Sequence, residues 1–394
     1  MQRLLFLFFF FPFVFLTQQG SAVDILVNWA VPLKKEFASV KKRELAGVLY
    51  HDGVIVAALR NGHMAAFDRA GRKVGERRFN GSFTVPPLVV GDGILAGESN
   101  TVHFLAMDLS DRWVVHGKSP LVAQPLLRPE GIYLQFTENT VYLVDPLTGF
   151  LRANYTFYGE TPLSYAILAT PVSYGEKVAF GFSNGQIIFF IHRVAEREGV
   201  EEIIPYNKYH TGSSHSSFFD ERNFFDVFSF LPSSEGMFFF SNGEKSGLLR
   251  LSDGAIHTFE GSLRNLRFEQ FGNGEIVGYG EGGVWIFTRD GLVKRTVMRT
   301  GSFVSNYIPA GRYIFLTETS GTITIYDPTL TFPLASICVP HGISGHAEWA
   351  EGALYFISDM GVLYSLSVME QRRVQKILAK EGKTGNKSAD LLEK

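Results

Sequence analysis

The sequence predicts an all-β chain: a closed ring of eight blades, each a four-stranded antiparallel sheet, with the ring closed by an N-terminal strand. Three observations predict it. First, a polar turn recurs along the 394 residues and marks eight copies, from His51-Asp52-Gly53 and Gly91-Asp92-Gly93 to Ala350-Glu351-Gly352. Most copies lie about 40 residues apart, the period of a four-stranded propeller blade. Second, each copy holds a further turn, among them Asn61-Gly62, Asn184-Gly185, Asn242-Gly243, Gly282-Gly283 and Met360-Gly361. Such residues tolerate φ > 0 and mark hairpins. Third, the strands are apolar on both faces. Tyr142 and Val144 point one way, Val141 and Leu143 the other. A strand of that kind is buried on both sides, so each blade needs two neighbours. These features describe an eight-bladed β-propeller.

The elements follow in order. Met1-Gln2-Arg3 precedes an apolar run over residues 4–16, and Gly20-Ser21-Ala22 supplies small residues after it. Residues 1–22 therefore read as a secretory signal peptide. The run is shorter than the roughly 20 residues that span a bilayer. No later stretch is long and apolar enough, so the mature chain is expected to be exported to the periplasm or cell envelope, soluble or peripherally associated.

Residues 23–369 form the propeller. Residues 25–32, ILVNWAVP, are a strand left over before the first copy, and the eighth copy lacks a clear fourth strand. Joining the two closes the ring and covers a sheet edge. The first three blades are regular, with third turns opened by Asp68, Asp108 and Asp145. In the last of these, Pro146 has the φ a turn needs and Gly149 can close it in the left-handed region. The fourth unit departs: about 60 residues separate its first turn from the next, against about 40 elsewhere. Residues 201–206 read as its outer strand and residues 207–223 as a long polar loop. Phe224 and Phe225 then begin the inner strand of blade five. Residues 370–394 are a charged tail, expected to be disordered.

A formal net charge of −2 with no basic block excludes nucleic acid and an anionic membrane surface as main partners. The single cysteine, Cys338, cannot form an intramolecular disulfide and reads as a small core residue. An exported chain without disulfides suits a bacterial periplasm.

Residues 141–155, VYLVDPLTGFLRANY, resemble the repeat of quinoprotein-like β-propellers: an apolar strand, an Asp, a turn ending in Thr-Gly and a strand ending in Trp. Residues 64–71, MAAFDRAG, and 322–329, TITIYDPT, are weaker copies. The resemblance runs from about residue 25 to about residue 368; it is specific for the repeat and leaves function open. A signal peptide followed by such blades looks like the propeller lipoproteins of the machinery that assembles outer-membrane β-barrels. That resemblance implies a non-enzymatic scaffold binding other proteins. This sequence departs from it in carrying Tyr155 where the repeat has Trp, and in lacking a cysteine for a lipid. The alternative is a periplasmic quinoprotein-like enzyme or ligand-binding propeller. The resemblance would then require a quinone on the ring axis, calcium ligands and a catalytic acid. One cysteine rules out the vicinal pair that the larger members use.

The residues themselves offer little catalytic chemistry. Asp52, Asp92, Asp253 and Asp290 stand before glycines, where Asp is a turn residue. His210 and His215 with Asp220 and Glu221, and His341 with His346, are imidazole and carboxylate groups that suit zinc or copper. Their spacing matches no compact site, so no metal and no cofactor is expected. Ser213, Ser214, Ser216 and Ser217 lack a nucleophile elbow. Partner binding is assigned to Tyr206, Tyr209, His210, His215 and Phe218, because a long loop on a rigid scaffold is where function concentrates. Strand direction places that loop on the face carrying the turns between second and third strands.

Overall fold

The structure is a computed structural model that describes residues 23–33, 43–138, 140–156, 169–182, 185–195, 200–211, 227–233, 236–242, 245–260 and 263–370. Its repeating unit is clear between Leu126 and Thr156. Leu126–Arg128, Gly131–Phe136, Thr140–Val144 and Leu151–Thr156 pair antiparallel in that order. Tyr142 and Val144 pack toward the preceding sheet and Val141 and Leu143 toward the following one. Burial on both faces is thus met by two neighbours.

The third turn of the unit is held by its aspartate. Asp145 Oδ1 accepts the N–H groups of Leu147 and Thr148 at 3.0 and 2.9 Å, and Gly149 closes the turn at φ +71°. Asp68, Asp108, Asp253 and Asp327 accept backbone N–H groups in the matching turns. These bonds hold the Asp145 carboxyl below its ordinary pKa. The aspartates are therefore occupied in building turns.

The chain is a β-propeller of four-stranded antiparallel blades. Among the described residues, hydrogen bonding gathers them into seven sheets, six of four strands and one of six. Eight separate sheets were expected, and the difference lies between Arg267 and Cys338. There Glu275–Phe287 runs for 13 residues and Val293–Ala310 for 18. Each serves two partners, one at either end. Glu281 pairs with Phe303, which carries the ladder across the join. The expected turn at Gly282-Gly283 survives as a bend inside the long strand, where both glycines have positive φ. The reason for the merger is that the connection from one repeat to the next stays extended and keeps pairing.

Ring closure comes from Val23–Pro32, which pairs antiparallel with Val362–Glu370 as the fourth strand of the last sheet. Ile25 and Val27 pack on one neighbouring core and Trp29 and Val31 on the other. First strands of neighbouring sheets lie side by side around the axis, and Gly47 bridges His346 there in parallel.

Two further expectations are corrected. The outer strand of the fourth sheet is Glu201–His210, so the chain does not enter a loop at residue 207. Cys338 is exposed, because it ends an outer strand on the side opposite buried Ile337. Residues 1–22, expected to be a signal peptide, Phe224, Phe225 and residues 371–394 lie outside the described residues.

Candidate functional site

A candidate recess among the described residues lies just past the short outer strand of the fifth sheet. Ile256–Thr258 has 3 residues, all exposed, whereas the other outer strands have 6 or more. The strand is short at its start, where the turn closes with the Arg250 N–H donating to the Ala255 carbonyl; at its end the Phe259 N–H still donates to the Ser246 carbonyl at 2.8 Å. The Phe259 ring stacks on Phe287 at 4.8 Å and meets Phe239 and Phe268. The chain then leaves the sheet at Glu260.

Past it, the connection to the next repeat meets the second and outer halves of that repeat's long strands. A cleft of about 360 Å³ remains, lined by Glu260, Leu263, Glu281, Gly282, Trp285, Val293, Thr296 and Arg299. That volume falls in the range of roughly 300–1,000 Å³ typical of ligand pockets. Trp285 is a buried wall and Val293 is 47% exposed. Glu281 is fixed by Asn265, whose Nδ2 donates to Oε2 at 2.9 Å. Two carboxylates against one guanidinium give the cleft a surplus negative charge. Glu260, Leu263 and Gly282 belong to a connection between repeats and to a bend between second and third strands. By strand direction they share the face that the sequence assigns to binding.

The residues assigned to partner binding divide. Tyr206 is 55% exposed, with the Lys177 ammonium 3.8 Å from its ring centroid. Tyr209 has a packing role: its hydroxyl donates to the Leu251 carbonyl at 3.0 Å and its ring meets Phe189 edge-on. It ties the fourth sheet to the fifth. His210 is exposed at the strand end. His215 and Phe218 lie outside the described residues. Among the described residues, no group of three or more His, Cys, Asp or Glu side chains comes together as metal ligands.

Near the axis, His346 touches water yet has its pKa pushed down to about 4, by burial first and by the Arg267 charge second. A ring in a narrow channel can meet a few waters and still be poorly solvated, which reconciles its accessible surface with that direction. Burial also raises Glu269 and Glu348 above the usual carboxylate range. Each is engaged: Tyr279 donates its hydroxyl to Glu269 at 2.8 Å, and Tyr50 donates its N–H to Glu348 at 2.6 Å. These groups join neighbouring strands and sheets.

With this geometry in place, comparison with solved structures is informative. BamB from Moraxella catarrhalis superposes with a TM-score of 0.68 at 15% identity, covering 87% of this chain and 100% of that one. In fold, the chain is a BamB-like propeller. Other propellers overlay too. The computationally designed Ika8 protein gives a TM-score of 0.63 at 12% identity, over 84% of this chain and 99% of that one. The C-terminal WD40 domain of Sif2 gives 0.63 at 10% identity, over 88% and 99%. No family model and no curated protein matches the sequence. The likeness to BamB is therefore one of architecture.

The cleft was not foreseen from sequence. Its one local signal is the break at Glu260-Gly261, soon after the fifth copy's Asp253-Gly254 turn, which leaves few residues for an outer strand. That two repeats would place Trp285, Arg299 and Leu263 together depends on packing between sheets.

Proposed function

We propose that this protein is an exported, non-enzymatic propeller scaffold that binds other proteins of the cell envelope. Its specific role is BamB-like, in the assembly of outer-membrane β-barrel proteins. The observation that carries the reading is the overlay on the whole of BamB, covering 87% of this chain. Propellers of this kind present rigid faces to partners. The outer-membrane role draws on the repeat resemblance in residues 141–155, and export on the apolar run and small residues within 1–22. No helix among the described residues is long and apolar enough to cross a membrane.

In this reading the ring counts as eight blades, the six-stranded sheet serving as two. The packing supports that count. Eight larger apolar clusters join neighbouring repeats, and one of them sets Val277, Val284 and Ile286 against Val304, Leu316 and Tyr326 inside that sheet. The mature chain begins at or near Val23 and carries no lipid. The binding face is the one at the His210 end of Glu201–His210.

The test is a cross-linked capture from envelope extracts, with partners identified by mass. Recovery of outer-membrane assembly components supports the role. A capture that yields no envelope protein removes it.

A further inference from the structure

We propose that the cleft beside Ile256–Thr258 is a peptide site, taking an extended segment that presents an apolar side chain flanked by basic ones. The inference deepens the scaffold reading and rests on it only for the biological source of the peptide. Four observations converge. The recess opens just past the short outer strand, at Glu260. The recess has room for about one large side chain and its backbone, at about 360 Å³. Its floor is apolar, from Trp285, Leu263 and Val293. Its rim carries Glu260 and Glu281 against Arg299 alone, so a basic segment complements it.

Backbone supply fits an extended ligand. Val293–Ala310 opens as the outer strand of its repeat, pairing on one side with Glu275–Phe287. Its other edge can accept strand addition, the mode in which backbone bonds give affinity and a pocket gives specificity. Trp285, largely buried, contributes part of the apolar wall. Arg299 would meet a peptide carbonyl or acidic group at the end of the segment.

The experiment uses the mature chain and three blocked pentapeptides: Ala-Lys-Phe-Lys-Ala, Ala-Glu-Phe-Glu-Ala and Ala-Lys-Ala-Lys-Ala. Binding is read by calorimetry and by tryptophan fluorescence. The first peptide is expected to bind saturably, and the other two at least about tenfold more weakly. Thr296→Trp, at an exposed position, fills the cleft and abolishes binding. Glu260→Gln with Glu281→Gln weakens it about tenfold, while glutamine retains an acceptor for Asn265. Equal binding of the acidic peptide, no saturable binding of the first, or binding unchanged by Thr296→Trp would each overturn the site. Envelope capture by the parent chain is scored separately. If capture persists while the peptide fails to bind, the scaffold reading stands and the cleft is lost. If the peptide binds and capture fails, the reverse holds.

Discussion

Trp113 Nε1 donates to the carbonyl of Pro146 at 3.1 Å, and its indole lies over Gly149 of the next repeat. A Cβ at Gly149 would sit 2.7 Å from the ring. The same arrangement joins Trp29 to Arg69 and Gly71, and Tyr209 to Leu251. An outer-strand side chain thus reaches the third turn of the following repeat. Trp113→Phe should cost about 1 kcal/mol for the lost hydrogen bond. Trp113→Ala should cost about 3–5 kcal/mol. Gly149→Ala meets both a clash and an unfavourable φ, and should cost about 2 kcal/mol. Denaturant titrations give all three, and a neutral Gly149→Ala would contradict the contact.

Tyr209→Phe separates packing from partner contact. Loss of the bond to Leu251 should lower stability by about 1 kcal/mol and leave envelope capture unchanged. Weaker capture at full stability would restore Tyr209 to the binding surface.

Deleting residues 23–32 opens the ring. The edge of Val362–Glu370 would lose its partner and the cores on either side would lose Ile25, Val27, Trp29 and Val31. The truncated chain should melt at a lower temperature and associate with rising concentration. An unchanged melting temperature and a monomeric species would count against closure by this strand.

Stability should fall between about pH 6.5 and pH 4 through His346. Its folded pKa is pushed down to about 4, whereas an unfolded histidine titrates near 6.5. Below that value the unfolded chain takes up a proton that the ring refuses, so the folded state loses ground as pH drops. Glu269 and Glu348, raised by burial, protonate first in the folded chain and so act in the opposite sense within the same window. The comparison is therefore between the parent and His346→Asn. Melting temperatures across this window should slope less for the variant; parallel curves would remove His346 as the cause.

Cys338 is exposed. A thiol reagent should label the native chain fully without denaturant. Labelling that appears only on unfolding would place the thiol back in the core.

Much of the fold is legible in sequence because strand burial is written in short-range pattern. Tyr142 and Val144 against Val141 and Leu143 foretold two neighbours, and the structure supplies one on each side. Asp145, Pro146 and Gly149 foretold a turn, and Asp145 holds it. The surplus strand before the first copy foretold closure. The failures arise where pairing outruns local punctuation. Gly282-Gly283 looks like a hairpin end, yet Glu281 pairs with Phe303 and the sheet continues. Asn207 looks like the start of a loop, yet it pairs with Phe189 and the strand reaches His210.

Turn chemistry and two-sided apolar strands were thus enough to mark the repeats and their order, since both depend on residues a few positions apart, and the surplus strand at residues 25–32 pointed to closure with Val362–Glu370 at the far end of the ring. The cleft was settled by packing between repeats. Phe259 ends its strand and stacks on Phe287, 28 positions later, and the connection that follows brings Glu260 to the cleft shared with Trp285, Glu281 and Arg299. Such a site has no spacing in the chain, because the distances that define it run across the gap between two sheets.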